Sequence, residues 1–391
     1  MSSILKSIRK LNYPRLKNMR ILSNFNYQKN IILIPGPVTT SQRVKDSMTK
    51  DIASREHNFI KRITRLRKNL LDIGQVSPKN YECILIGGCG TFANEAVIGS
   101  FDKKAQHLVL SNGVYGNRLS EISETYGIKT RKLDFDEDKK IKVKNLFNHS
   151  IFEQYVSLVH HETSNGVVNN IEEIVPYLKW ENKTVLIDGI SSFGGIPTNI
   201  EKLDIDFFVS SSNKCLHGFP GISFVIAKKS SIQNMRMSYS LDLYDQYVEF
   251  VNNQQFRFTP PPQIVNSLYE AVDELIESGG VDARYKQYLE FNKILRSRLE
   301  NESGLKSFVS NKNQGPIMVV FYYPFKGFSF EKLYRRLLKK KIVIYSAKIK
   351  NKEVFRLGNI GHISLDELNY CIDHISYEID NMKREHYEFY D

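Results

Sequence analysis

The sequence predicts an α/β protein: a large, mostly parallel sheet, then a smaller C-terminal α/β unit. Apolar runs of strand length at 81–86, 107–110, 155–159, 184–188 and 207–209 alternate with helical patterns and end in small or turn-forming residues. Two of these runs end at reactive side chains, Asp188 and Lys214, and the carboxyl ends of strands are where open α/β sheets bind ligands. Gly279-Gly280 then interrupts the pattern before a long charged helical stretch and a second set of short strands and helices. The expected units are a basic extension (1–30), a large unit with an N-terminal arm (31–280) and a small unit (281–391).

Lys214 stands out first. It is the only Lys, Arg, Asp or Glu between Asp206 and Lys228, and it follows a row of small hydroxyls, Ser210-Ser211-Ser212. A lysine in a confined, partly apolar setting has a depressed pKa and becomes a nucleophilic amine. A solvated loop lysine would read similarly on this stretch alone. Asp188 separates the two readings. An acid at one strand end and a lysine at the end of the next is the pair that pyridoxal phosphate needs: the acid keeps the ring nitrogen protonated, and the amine carries the aldehyde.

The motifs IPGPVTTSQRVKDSM, GGCGTFANEA, NGVYGNR, VHHETSNGVV, IDGISSFGGIP, VSSSNKCLHGFPG, QFRFTPPP and FRLGNIG run in order from about residue 32 to 363. Together they resemble the 2-aminoethylphosphonate–pyruvate transaminase family, class-V aminotransferases with the type I pyridoxal-phosphate fold. The resemblance implies a homodimer with a shared active site and small anionic substrates, an aminophosphonate and a 2-oxo acid.

Along the chain, residues 1–30 are basic, with no acid before Asp46 and an apolar periodicity at Ile4, Leu5, Ile8 and Leu11. They read either as a mitochondrial presequence or as an extension on a cytoplasmic enzyme. The run 31–34 stops at Pro35-Gly36-Pro37; by resemblance, residues 35–40 line the substrate pocket. After the strand at 81–86, Gly87-Gly88-Cys89-Gly90-Thr91 opens a helix expected from about Phe92. A glycine turn before a helix start points N–H groups at an anion, so Cys89, Gly90 and Thr91 are assigned to the coenzyme phosphate. The fingerprint spacing of a dinucleotide site is absent.

After the strand at 107–110, the resemblance implies that Tyr115 stacks on the coenzyme ring. After 155–159, it implies that Thr163 seats the ring's phenolic oxygen and substrate. Relatives often carry threonines where this chain has Ser164 and Asn165, which touches the expected amine specificity. Adjacent His160 and His161 invite a metal reading, but neighbours on a strand face opposite ways, so no metal site is assigned. Thr259, before Pro260-Pro261-Pro262, is implied to reach the partner subunit's coenzyme phosphate. In the small unit Arg356 lies in an apolar strand; such an arginine takes either an internal acid or an anionic ligand. By resemblance it binds the substrate carboxylate and phosphonate.

Of the 391 residues, 41% are hydrophobic and 25% charged, and no apolar run reaches membrane-span length. The net charge of +12 would suit nucleic acid, but outside the amino end basic and acidic residues interleave, which disfavours a binding stripe. The four cysteines show no metal spacing and indicate a reducing compartment. The expected reaction transfers the amino group of 2-aminoethylphosphonate to pyruvate. The alternatives are a sibling transaminase using alanine or serine with glyoxylate, and a non-catalytic basic protein on the same fold.

Overall fold

The computed structural model describes residues 30–235 and 237–388. The extension expected over residues 1–30 lies outside the described residues except for Asn30. The chain enters through β1 (Ile31–Leu33), α1 (Gln42–Asp46) and α2 (His57–Ile73). An alternation of strands and helices follows: β2 (Tyr81–Gly87), α3 (Gly90–Ile98), β3 (Gln106–Ser111), α4 (Val114–Thr125), β4 (Lys129–Asp134), α5 (Val143–Leu146) and β5 (Tyr155–Val159). Next come a short hairpin, β6 (His161–Glu162) and β7 (Val167–Val168), then α6 (Ile171–Trp180), β8 (Thr184–Asp188), β9 (Phe207–Ser211) and β10 (Ile222–Lys228). Helices α7 (Leu243–Asn253), α8 (Pro262–Glu277) and α9 (Gly280–Ser303) lead to β11 (Met318–Tyr322), α10 (Phe330–Leu338), β12 (Ile342–Ser346), β13 (Val354–Gly358) and α11 (Leu365–Glu388).

Seven strands form the main sheet in the order β2-β10-β9-β8-β5-β3-β4. Strand β10 runs antiparallel to both β2 and β9; the other pairs are parallel. As a result β2, β3, β5, β8 and β9 all finish on one edge, and their loops form a single rim. Every residue of β5 and β9 is buried, as expected of strands covered on both faces.

One close approach shapes the rim. A Cβ on Gly189 would lie 2.0 Å from the Phe208 ring, so the turn after Asp188 closes only with glycine there. Phe208 is fully buried and packs near Phe193 and His160; emptying that site by Phe208→Ala would cost about 3–5 kcal/mol.

The second sheet has the order β1-β12-β13-β11. Strand β1, grouped by sequence with the large unit, pairs instead in parallel with β12, Ile31 opposite Ile342. Ile31 and Leu33 are buried in the same apolar cluster as Leu295, Phe321, Ile344, Leu357 and Ile375. Three residues carry no periodicity that could reveal such a partner. Among the described residues, no helix is long and apolar enough to cross a membrane.

Candidate active site

Lys214 sits in the loop after β9, where its Nζ donates to the Pro35 carbonyl at 2.9 Å. Pro35 follows β1, so the lysine reaches from the large sheet to a segment anchored in the small one. Gly36 has φ +122°, and a Cβ there would lie 2.5 Å from Lys214 Cδ and 2.7 Å from Nζ. Only glycine lets the main chain pass so close in that conformation. The amine is pushed down from its usual 10.5 to about 8. Burial is the main cause and Arg356 the next, against the opposing pull of Cys215 and Asp188.

Asp188 ends β8 and is buried. Asn94 Nδ2 donates to its Oδ2 at 2.7 Å, and the Ile190 N–H to its Oδ1 at 3.0 Å. Burial raises its pKa; those two hydrogen bonds and the charges of Arg118 and Lys214 oppose the rise.

Helix α3 begins at Gly90, two residues earlier than its sequence suggests, with Cys89 as N-cap. The Cys89 side chain makes no capping bond, so the first N–H groups, at Gly90 and Thr91, face the rim with the helix dipole behind them. Arg118 NH1 donates to Thr91 Oγ1 at 3.3 Å, and its guanidinium lies 4.9 Å from the centre of the Tyr115 ring. Tyr115 and Arg118 are three residues apart in α4 and therefore share a face. That spacing was the signal in the sequence for Arg118, which joins the glycine turn at Thr91 to the Tyr115 ring. Asn94 carried no comparable signal.

The segment after β5 is buried throughout. Glu162 Oε2 accepts the N–H groups of Tyr115 and Gly116, both at 3.1 Å, capping α4. Ser164 Oγ donates to Glu162 Oε1 at 2.6 Å and accepts the Val114 N–H. Asn165 Nδ2 donates to the Asn112 carbonyl at 2.7 Å. Ser164 and Asn165 thus make hydrogen bonds within the fold, Ser164 at the first turn of α4 and Asn165 just before it.

Thr163 is fully buried; its hydroxyl lies 3.4 Å from Ser191 Oγ, and its carbonyl accepts from Arg356 NH1 at 2.8 Å. Arg356, half-buried on β13, keeps a buried Nε without a partner. Among the described residues no carboxylate pairs with it. Buried Thr39 Oγ1, in the segment after Pro35, is likewise unpartnered.

Lys214, Asp188, Arg118 and Arg356 therefore share one electrostatic environment, with Thr91 and Tyr115 joined to it through Arg118 and Thr163 through Arg356. Thr259 does not join them: it is exposed on the segment before α8. His160 and His161 are buried, and burial holds both imidazoles well below 6.5, at about 4 and about 3. Among the described residues no group of three His, Cys, Asp or Glu could hold a metal ion.

The family model for class-V aminotransferases matches residues 39–348. The 2-aminoethylphosphonate–pyruvate transaminase of Phocaeicola vulgatus is 36% identical over 354 residues, covering 88% of this chain and 98% of that protein. The enzyme of the same name from Bacteroides fragilis is 37% identical over 342 residues, covering 85% and 94%. In three dimensions the alanine–glyoxylate aminotransferase of Nostoc superposes with a TM-score of 0.82 at 20% identity, covering 89% of this chain and 95% of that one. On the sequence match along most of its length, the chain belongs to the class-V aminotransferases.

Proposed function

We propose that this chain, with pyridoxal 5'-phosphate bound at Lys214, transfers the amino group of 2-aminoethylphosphonate to pyruvate and releases phosphonoacetaldehyde and alanine. The names of its relatives support the substrates. The observation in this chain that carries the reading is the Lys214 amine, lowered to about 8 beside a buried acid and an arginine with an unpartnered Nε.

The residues fit the coenzyme. Gly90 and Thr91, at an uncapped helix start with Cys89 before them, would hold its phosphate. Asp188 would face the ring nitrogen, Tyr115 the ring plane and Thr163 the phenolic oxygen. When bound, the group supplies an aldehyde that takes up amines and a ring that withdraws electrons. Lys214, as the neutral amine, accepts the proton from the substrate carbon that bears nitrogen, and later returns one. Asp188 keeps a negative charge where a protonated heterocycle needs one. Arg356 grips the phosphonate of the donor and the carboxylate of the acceptor in turn, since its planar fork suits both oxyanions. Amine and oxo acid use the site alternately, so the kinetics are ping-pong.

A homodimer belongs to this reading. Thr259 is exposed beside Phe258 and Tyr239, which are 44% and 79% exposed, leaving that segment free to meet a second copy and its coenzyme phosphate. The working compartment on this reading is the cytoplasm, where a thiol such as the exposed Cys89 stays reduced.

The test is a pair of half-reactions on coenzyme-loaded protein. 2-Aminoethylphosphonate should bleach the yellow band and pyruvate should restore it with formation of alanine. No response to the aminophosphonate, with turnover of alanine and glyoxylate, would move the substrate assignment to the sibling transaminases. A protein that never takes up the coenzyme would be a binding protein on this fold. Arg356→Leu should lower kcat/KM for both substrates by about 10²-fold through KM, the loss of a charge-assisted, forked contact.

A further inference from the structure

Lys214 and Arg356 stand on different sheets, yet the exchange requires them at a fixed separation. The loop that carries the lysine is tied to the small unit by a buried polar cluster. The His217 N–H donates to the Lys214 carbonyl at 3.0 Å, closing a tight turn with His217 at φ +63°. On the far side of that turn, the Gly361 N–H donates to His217 Nε2 at 3.1 Å. Gly361 lies three residues beyond β13, the strand of Arg356. The Tyr288 hydroxyl, from α9, lies 2.6 Å from the same nitrogen. Arg284 NH1, on the same helix, donates to the Cys215 carbonyl at 2.7 Å. The cluster continues through Asn359 Nδ2, which donates to the Tyr288 carbonyl at 3.1 Å, and Asn292 Nδ2, which donates to Asn359 Oδ1 at 3.0 Å. His217 and Tyr288 are both buried.

A nitrogen that accepts a backbone N–H must carry its lone pair. His217 is therefore neutral with its proton on Nδ1, and the Gly361 N–H and the Tyr288 hydroxyl share the single lone pair of Nε2 in a three-centre contact. Burial and the neighbouring charges of Arg284 and His362 favour that neutral form. A lysine or leucine at 217 would leave the buried Gly361 N–H without its acceptor.

We propose that His217 is a positioning residue: by accepting from Gly361 and Tyr288 together, its Nε2 locks the Lys214 loop to the strand end of Arg356 and sets the distance between amine and guanidinium. This rests on the roles of Lys214 and Arg356 given above. Misplacement by about 1 Å costs about 10²-fold in rate, while binding of the oxyanion by Arg356 survives.

The test compares His217→Leu, His217→Gln and Tyr288→Phe with the unaltered enzyme, each as full-length protein. Kinetics are normalised to bound coenzyme, and amide exchange at Gly361 is followed in coenzyme-free protein. His217→Leu should lower kcat about 10²-fold with KM within about threefold, and speed exchange at Gly361. His217→Gln, whose amide oxygen supplies an acceptor, should recover most of both. Tyr288→Phe should lower kcat about tenfold, and it decides the matter if the leucine variant does not fold. Full kcat per loaded site in both His217→Leu and Tyr288→Phe would overturn the proposal, and so would a glutamine variant no better than leucine. The exchange arm needs no coenzyme, so it stands apart from any failure of the functional reading.

Discussion

Lys214→Ala abolishes amino-group exchange, lowering kcat by about 10⁴-fold or more, while the folded protein persists. The expectation combines two losses. The variant has no amine to carry the aldehyde, and no base to take the proton from the substrate carbon; general acid–base catalysis alone accounts for about 10²–10⁴. The fold should survive because the Nζ makes one hydrogen bond, to the Pro35 carbonyl, and the lowered pKa marks a charge that folding disfavours. The sign follows from linkage. With the folded pKa at about 8 against 10.5, the unfolded chain binds more protons between those values, so stability rises with pH across that window. Alanine at 214 removes this dependence. In coenzyme-free unaltered protein, labelling of Lys214 by an amine-directed reagent should titrate near pH 8, below the surface lysines, and mass spectrometry of the labelled peptide measures it. Undiminished exchange by the alanine variant would end the assignment of Lys214.

Asp188→Asn should cost about 10²–10³ in kcat, the size of a lost preorganised electrostatic contact, with little change in KM. The substitution is nearly isosteric. The Ile190 N–H keeps an oxygen to bond. Asn94 Oδ1 is buried without a partner, so a flip of that amide offers an acceptor to the new NH₂ group. Packing is preserved and the charge alone is lost. Here the linkage runs the other way from the usual carboxylate. Burial raises the folded pKa of Asp188 above its ordinary value, so the coenzyme-free protein loses stability as pH rises through the folded pKa. The amide variant lacks that loss and should melt at least as high at alkaline pH. Melting curves across pH, set beside steady-state rates, separate the two effects; a variant with full kcat would show that Asp188 caps a turn and nothing more.

Much of the architecture was legible from pattern alone. The strands at 155–159 and 184–188 match their apolar runs residue for residue, because each run is short and closed by turn residues. Helix α6 is not legible locally: Pro176 stands inside it, and a proline in mid-pattern argues against a helix unless packing holds it. Ile171, Ile174, Val175 and Leu178 supply that packing. Helix α7 carries only one local signal, Asp242, which caps its start by accepting the Asp245 N–H. Both helices owe their place to burial against the rest of the chain, which local propensity does not record.

The amino-acid order by itself determined the chemistry on offer: an isolated lysine after one buried strand, an acid after its neighbour, a glycine turn before a helix and an arginine in an apolar strand. Each is a local signal, written within a few residues. The tertiary structure alone decided which groups those side chains meet. It put β1 in the small sheet and so brought Pro35 to Lys214; it set Ser164 at the first turn of α4 and Asn165 against the Asn112 carbonyl; it added Arg118 and Asn94; and it left Arg356 Nε unpartnered. The physical reason is that a buried charge or donor takes its character from partners far away in sequence, through burial and hydrogen bonding that exist only once the sheets have packed.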